Sequence, residues 1–241
     1  MKEKRLMIHV RDVRKVYHMG DEEIVALNRV NLKIYKGEVC CIFGTSGSGK
    51  STLLNQLAGM EKPTRGEVLI RGVNVSKMDE GELAEFRQKH IGFIFQSYNL
   101  LPSMTAVENV AMPLMFRGIS RRKREETAQV LLNQVGLSSR LRHYPGQMSG
   151  GQQQRAGIAR AFVTRPQVVF ADEPTGNLDS KTTEEIMTMI MRFARKYDET
   201  IILVTHDPGM ARYADRIVTL KDGNIIGDER TDGYEKRCQE K

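Results

Sequence analysis

The sequence predicts an α/β fold: a mainly parallel core sheet, an N-terminal antiparallel β subdomain and an inserted α-helical subdomain. Three observations carry this. Two short apolar runs, VCCIF at 39–43 and VVFA at 168–171, show no polar alternation, the pattern of strands buried on both faces of a parallel sheet. Residues 24–35 alternate in part, through Val25, Leu27, Val30, Leu32 and Ile34, as half-buried antiparallel strands do. From about residue 80 the pattern turns mostly helical, interrupted by the strand-like IGFIFQ at 91–96.

Taken in order, an early strand ends at Tyr17, and Lys36-Gly37-Glu38 is a turn into VCCIF. A glycine loop follows, then a helix from STLLNQLAGM ending near Gly59, and the strand EVLIRG at 67–72. Helices are predicted near 80–90, 105–116, 120–135 and 150–164, with Pro102, Pro113 and Pro145 as punctuation. After Pro166 come the strand VVFA, a helix over 180–197, the strand TIILVT at 200–205, a short helix over 208–214 and the strand RIVTL at 216–220. Asp222-Gly223 is a hairpin turn into NIIG. Residues 228–241 read as a polar, frayed tail. With no internal repeat and no low-complexity linker, 1–241 reads as a single domain, its helical subdomain spanning about 97–165.

Composition narrows the function. The 241 residues are 40% hydrophobic, enough for a sizeable core. No apolar run approaches the roughly 20 residues that span a bilayer, and the start, MKEKRLMIHV, lacks the apolar core of a secretory signal. The expected location is cytoplasmic. Adjacent Cys40 and Cys41 lie in an apolar run and read as inert buried thiols; Cys238 sits in the polar tail. The net charge of +7 is scattered, with one dense run, Arg121 to Arg124, followed by Glu125 and Glu126. That run reads as a solvated helix start with internal ion pairs. With 6% aromatic residues and no aromatic interleaving, no nucleic-acid partner is expected.

Gly44-Thr45-Ser46-Gly47-Ser48-Gly49-Lys50-Ser51 has the spacing of a phosphate loop, set between a buried strand and a helix. Glycines let backbone N–H groups turn inward, and the helix start adds a positive dipole end. Lys50 is positioned for β- and γ-phosphates, Ser51 for Mg²⁺, and Thr52 completes the nucleotide-binding run. Asp172 at the end of VVFAD suits the Mg²⁺ shell, and Glu173 beyond it suits polarising an attacking water. His206, closing ILVTH, stands where strand ends converge on ligands and can contact the γ-phosphate. Gln96 closes IGFIFQ, its amide oxygen suited to Mg²⁺ or the water. Tyr17 is a candidate for stacking on adenine. His9, His18, His90 and His143 have no such context.

A second phosphate-type surface lies at MSGGQQQR, 148–155. Together, Gly44–Ser51, Gln96, Met148–Gln152, Val168–Glu173, Asp179 and His206 resemble, in their order, the ATP-binding subunit of an ABC transporter. The resemblance covers nearly the whole chain and implies a P-loop NTPase fold, ATP and Mg²⁺ as cofactors, and a second copy of the chain as partner. It further implies that ATP on one copy's phosphate loop is capped by Ser149, Gly150, Gly151 and Gln152 of the other, with Asp179 in a dimer-contact loop linking the two sites. The family's usual leucine is Met148 here, an apolar exchange of similar size. FQSYNLLPSMTAVENVAMPL, DEPTGNLDS and VTHDP resemble the macrolide-export and lipoprotein-release ATPases, and also those of peptide-antibiotic resistance and cell division.

The resemblance therefore implies an ATPase that drives a separate integral membrane permease, held peripherally on the inner face of the membrane. The alternatives are a cell-division-type mechanical module and a soluble ATPase acting on nucleic acid. Leu100, Leu101, Pro102 and Met104, just past Gln96, are the expected apolar floor of a groove for a permease helix.

Overall fold

A computed structural model describes residues 5–20 and 22–231. In chain order the elements are β1 (Leu6–Met19), β2 (Glu22–Tyr35), β3 (Val39–Phe43), α1 (Lys50–Leu57), β4 (Arg65–Ile70), β5 (Val73–Asn74), α2 (Glu80–His90), β6 (Ile91–Ile94) and α3 (Ala106–Phe116). There follow α4 (Arg121–Gln134), α5 (Gly150–Phe162), β7 (Val168–Asp172), α6 (Ser180–Tyr197), β8 (Thr200–Thr205), α7 (Pro208–Ala211), β9 (Arg216–Lys221) and β10 (Asn224–Arg230). They divide into two compact units, one made of the residues up to Arg87 and from Thr200, the other of Gln88–Glu199. Cys238 and the end of the polar tail lie outside the described residues.

In the first unit, β2, β1, β4 and β5 form an antiparallel sheet in that order. Its buried face holds most of the alternating set read from the sequence: Leu27, Val30, Leu32 and Ile34 are buried with Ile8, Val10 and Val13 of β1, whereas Val25, near the hairpin end, is exposed at 40%. β1 does not stop at Tyr17. It stays paired to Met19, opposite Glu22, because the hairpin closes only there. β3 runs parallel to both β8 and β9, pairing Phe43 with Thr205 on one side and Thr219 on the other. Cys40, Cys41 and Ile42 are fully buried there. Neither sulfur is in a disulfide, and burial pushes the Cys40 pKa far up, which keeps it inert.

Asp222 and Gly223 take φ of 46° and 72°, the left-handed pair a tight hairpin needs between β9 and β10. The expected frayed tail from 228 is corrected in part. β10 continues to Arg230, with Glu229 opposite Ile217 and an Arg216–Asp228 ion pair at 2.5 Å. A strand at a sheet edge can stay polar, since the ladder is built from backbone. The short helix is also trimmed, to Pro208–Ala211.

In the second unit, β6 and β7 are parallel, from Ile91 opposite Val168 to Ile94 opposite Ala171. Phe93 and Phe170 stack with centroids 5.5 Å apart. β6 ends at Ile94, two residues before Gln96, because Tyr98 and Asn99, with φ of 60° and 48°, fold the chain into a turn. α3 opens with a capping box between Thr105 and Glu108. Pro113 does not separate helices; it lies inside α3, which runs on to Phe116. Burial of Val107, Val110, Ala111 and Leu114 outweighs the one lost backbone bond. The Arg121–Glu125 and Arg122–Glu126 pairs, at 2.7 and 3.0 Å, are the internal ion pairs expected of α4. α6 buries Ile186, Ile190, Phe193 and Ala194, and Phe193 stacks on Phe162 of α5 with centroids 5.1 Å apart. Among the described residues no helix is long and apolar enough to cross a membrane.

Candidate functional site

The first unit builds the phosphate loop. Buried β3 feeds Gly44–Gly49, and α1 starts at Lys50. Gly49 sits at φ 100°, and a Cβ on it would fall 2.6 Å from the Ala26 carbonyl oxygen. A Cβ on Gly44 would fall 2.4 Å from the Leu220 carbonyl oxygen. Side chains are excluded at both positions, so the loop curls tightly while Thr45, Ser46 and Gly47 stay exposed. Lys50 is buried, and its Nζ donates to the Thr45 carbonyl at 2.7 Å, folding the ammonium back over the loop. Ser48 Oγ is buried without a hydrogen-bond partner. The Ser51 hydroxyl, on the first turn of α1, belongs to an exposed residue. The start of α1 therefore offers N–H groups, a cation and a free hydroxyl to an anion.

Tyr17 and His206 belong to the same unit. The Tyr17 hydroxyl donates to Glu61 Oε2 at 2.7 Å, and Lys15 Nζ lies 5.1 Å from its ring centroid. Burial, then the bond to Glu61, raises its pKa, against a hydrogen bond with Thr52 of α1. Tyr17 is thus tied to the phosphate-loop helix. His206 follows Thr205, which pairs with Phe43 immediately before Gly44. It is exposed beyond the strand rather than its last residue, at the same carboxyl edge as the phosphate loop.

The second unit gathers the remaining residues. β7 delivers Asp172 at its end, and Glu173 takes a left-handed φ of 44°. That conformation costs a non-glycine residue free energy and turns the chain sharply at a strand end. Gln96 leaves the neighbouring strand at the same end. Asn177 Nδ2 donates to its carbonyl at 3.2 Å, and a Cβ on Gly176 would fall 2.7 Å from Gln96 Nε2. The structure therefore brings Gln96 against the segment that follows Glu173.

Ser149 caps α5 in a reciprocal box: Gln152 N–H donates to Ser149 Oγ at 3.3 Å, and Ser149 N–H to Gln152 Oε1 at 3.1 Å. The hydroxyl proton of exposed Ser149 stays available to an acceptor, and Met148 is buried beneath it. A Cβ on Gly150 would lie 2.7 Å from Tyr98 Oη, and one on Gly151 2.9 Å from Thr182 Cγ2. Neighbouring side chains within the unit thus crowd both glycines. Asp179 caps α6, accepting from Thr182 N–H at 3.0 Å and from its hydroxyl at 2.7 Å. The Thr182 bonds hold its pKa below the ordinary value.

Sequence reasoning missed Tyr98, Asn99 and Gly176, the bond from Asn177 of the expected dimer-contact loop to Gln96, and Arg160, whose guanidinium donates to the Tyr98 and Asn99 carbonyls. A signal existed: Arg160 interrupts the apolar run of α5 between Ala159 and Ala161, both buried. Of the residues expected to floor a groove, Leu101 and Pro102 are exposed and Leu100 and Met104 half-buried. A cavity of about 200 Å³ is lined by Met104, Ala111, Met112 and Met115, with Arg121 and Arg124 among the charged groups at its rim. Met104 is the one of those four that also lines this cavity. Leu101 is exposed at 40%, and the 100–104 segment is pinned by Asn109, whose side chain bonds Leu101 and Met104 backbone atoms.

Residues 27–176 match the ABC transporter family. The chain is 47% identical over 223 residues to the macrolide export ATP-binding/permease protein MacB of Vibrio parahaemolyticus, covering 92% of this chain and 34% of that protein. It thus spans about one third of the length of these macrolide-export relatives. It is 45% identical over 235 residues to the uncharacterized ABC transporter ATP-binding protein MJ0796 of Methanocaldococcus jannaschii, covering 96% of this chain and all of that one. A solved dimeric structure of MJ0796 in a post-hydrolysis state, bound to ADP and Pi, superposes with a TM-score of 0.87 at 44% identity, covering 93% of this chain and 98% of that chain.

Proposed function

Because this chain belongs to the ABC transporter family as one of its ATP-hydrolysing cassettes, we propose that it works as a head-to-tail pair that binds two ATP molecules and drives a membrane permease. The supporting observation is that the chain carries two exposed helix starts suited to phosphate, of which only the α1 start has its own lysine. The α5 start offers N–H groups and the Ser149 hydroxyl but no cation within Ser149–Gln154. It suits a phosphate already held by another copy. With one of each per chain, a two-fold pair completes two sites.

In this reading Lys50 neutralises the β- and γ-phosphates, the Gly44–Thr52 backbone and hydroxyls cradle them, and Tyr17 packs on the adenine. Glu173 accepts a proton from the attacking water, with His206 and Gln96 orienting it against the γ-phosphate. Ser149, Gly150, Gly151 and Gln152 face the partner's nucleotide, and Asp179 lies in the contact between copies. The Ser51 hydroxyl, the Gln96 amide and the Asp172 carboxylate are hard oxygen donors of the kind Mg²⁺ takes, and they would hold the ion. Mg²⁺ would supply neutralisation of charge on the phosphates.

The methionine-floored cavity beside α3 suits an amphipathic helix of the permease. Through it the cassette would sit on the inner face of the membrane, serving export, lipoprotein release or antimicrobial-peptide resistance. A two-copy site makes ATPase activity per chain rise with protein concentration before levelling off. Activity per chain that stays constant in a sample shown by light scattering to be monomeric would overturn the reading.

A further inference from the structure

Arg160 is buried on α5, where a guanidinium is costly unless its donors are used. They are spent on backbone: one nitrogen donates to the Asn99 carbonyl and another to the Tyr98 carbonyl, the latter at 2.8 Å. These carbonyls belong to the two consecutive left-handed residues of the glutamine turn. Such a turn persists only where its surroundings hold it. The same turn touches α5 a second time, at its start, where Tyr98 Oη closes on Gly150. Gly150 and Arg160 are ten residues apart, about three helical turns, so the turn is fastened along most of α5. Asn177 holds the Gln96 carbonyl from the other side.

We propose that Arg160 is a positioning residue that locks the glutamine turn onto α5, so that Gln96 and the Ser149–Gln152 helix start move as one body. This rests on the nucleotide roles given above to Gln96 and Ser149. The lock ties each copy's contact with its own ATP to its grip on the partner's ATP. Neither end can shift without carrying the other.

The test is Arg160→Lys, which keeps the charge but replaces the guanidinium fork with a single ammonium. Turnover should fall between about ten- and a hundredfold, as small misplacements of reacting groups do, while the affinity for a fluorescent ATP analogue stays within about twofold. Amide hydrogen exchange should quicken over 95–102 and 148–153 and stay unchanged over 50–58. Unchanged turnover would overturn the lock. So would exchange that quickens throughout the chain, because Arg160 would then be a determinant of the fold rather than of the turn. Gln96→Ala separates the lock from the reading beneath it. Normal turnover in Gln96→Ala removes the nucleotide role of Gln96 and the lock with it. Lost turnover there with normal turnover in Arg160→Lys removes the lock alone.

Discussion

The helix starts at α1 and α5 use glycine for different reasons. At α1 the backbone requires it: Gly47 and Gly49 are left-handed, and Gly44 and Gly49 pass within van der Waals reach of carbonyls. At α5, Gly150 and Gly151 are not left-handed; they are small because Tyr98 and Thr182 press on them. The α1 start also carries buried Lys50, whereas the α5 start has only N–H groups and a hydroxyl. In the reading proposed above, the first is a complete anion site and the second is half of one, whose chemistry depends on a phosphate presented by another copy.

The strongest way to break this contrast is to disable each start in turn. Lys50→Ala removes a fixed charge from the complete site, and ATP turnover should drop by about a thousandfold. A Lys50→Ala protein that turns over ATP at the normal rate would refute the phosphate-loop assignment. Ser149→Arg obstructs only the half site. ATP binding to the isolated chain should be kept, and turnover should fall about a hundredfold. Loss of ATP binding in that variant would place Ser149 in the site of its own chain and erase the distinction.

Gly150→Ala sharpens the comparison, because its expected cost comes from packing. The new Cβ would meet Tyr98 Oη at 2.7 Å, and turnover should fall about tenfold as the turn is displaced. Adding Tyr98→Phe removes that oxygen and leaves the ring carbon at 3.5 Å, an ordinary contact. Most of the activity should return in the double variant. If it does not, Gly150 is constrained by the ligand rather than by Tyr98.

The smallest effect provides a baseline away from both helix starts. Glu199, past the end of α6, is 3% exposed with neither carboxylate oxygen hydrogen-bonded. Burial pushes its pKa up to about 8, against the pull of Arg165. The folded state therefore keeps a proton that the unfolded chain releases at the ordinary carboxylate value. The associated stability is full below that value and is lost as pH rises through about 8. Glu199→Gln should flatten the fall of the melting midpoint between pH 5 and 8 and raise the midpoint at pH 8 by about 2–4 °C, with turnover unchanged. Parallel melting curves for the two proteins would show that Glu199 ionises freely when folded.

Much of this was legible in the sequence where a single stretch of chain settles the matter. VCCIF and VVFA read as strands buried on both faces, and the glycine spacing before Lys50 marks the phosphate loop. Features set by contacts between distant segments were not legible. IGFIFQ stays apolar to Phe95, so nothing local says that β6 stops at Ile94; the left-handed pair at Tyr98 and Asn99 does. Pro113 is a helix breaker by local rules, yet the burial of α3 carries the helix through it. The polar end of β10 stays ordered because Arg216 reaches Asp228 from the next strand. At the site, residue types pointed to Glu173 and Ser149, but the left-handed backbone of the first and the reciprocal cap of the second appear only in three dimensions.

The most direct test of a shared ATP site is the association state of Glu173→Gln. This variant keeps the size and shape of the side chain but replaces the carboxylate base with a neutral amide that cannot take the water's proton, so ATP should bind and persist unhydrolysed. Size-exclusion chromatography with light scattering should show a monomer without nucleotide and a dimer with ATP and Mg²⁺. Adding Ser149→Arg should return the dimer to monomer. A monomer under both conditions, at concentrations where ATP is bound, would contradict the account.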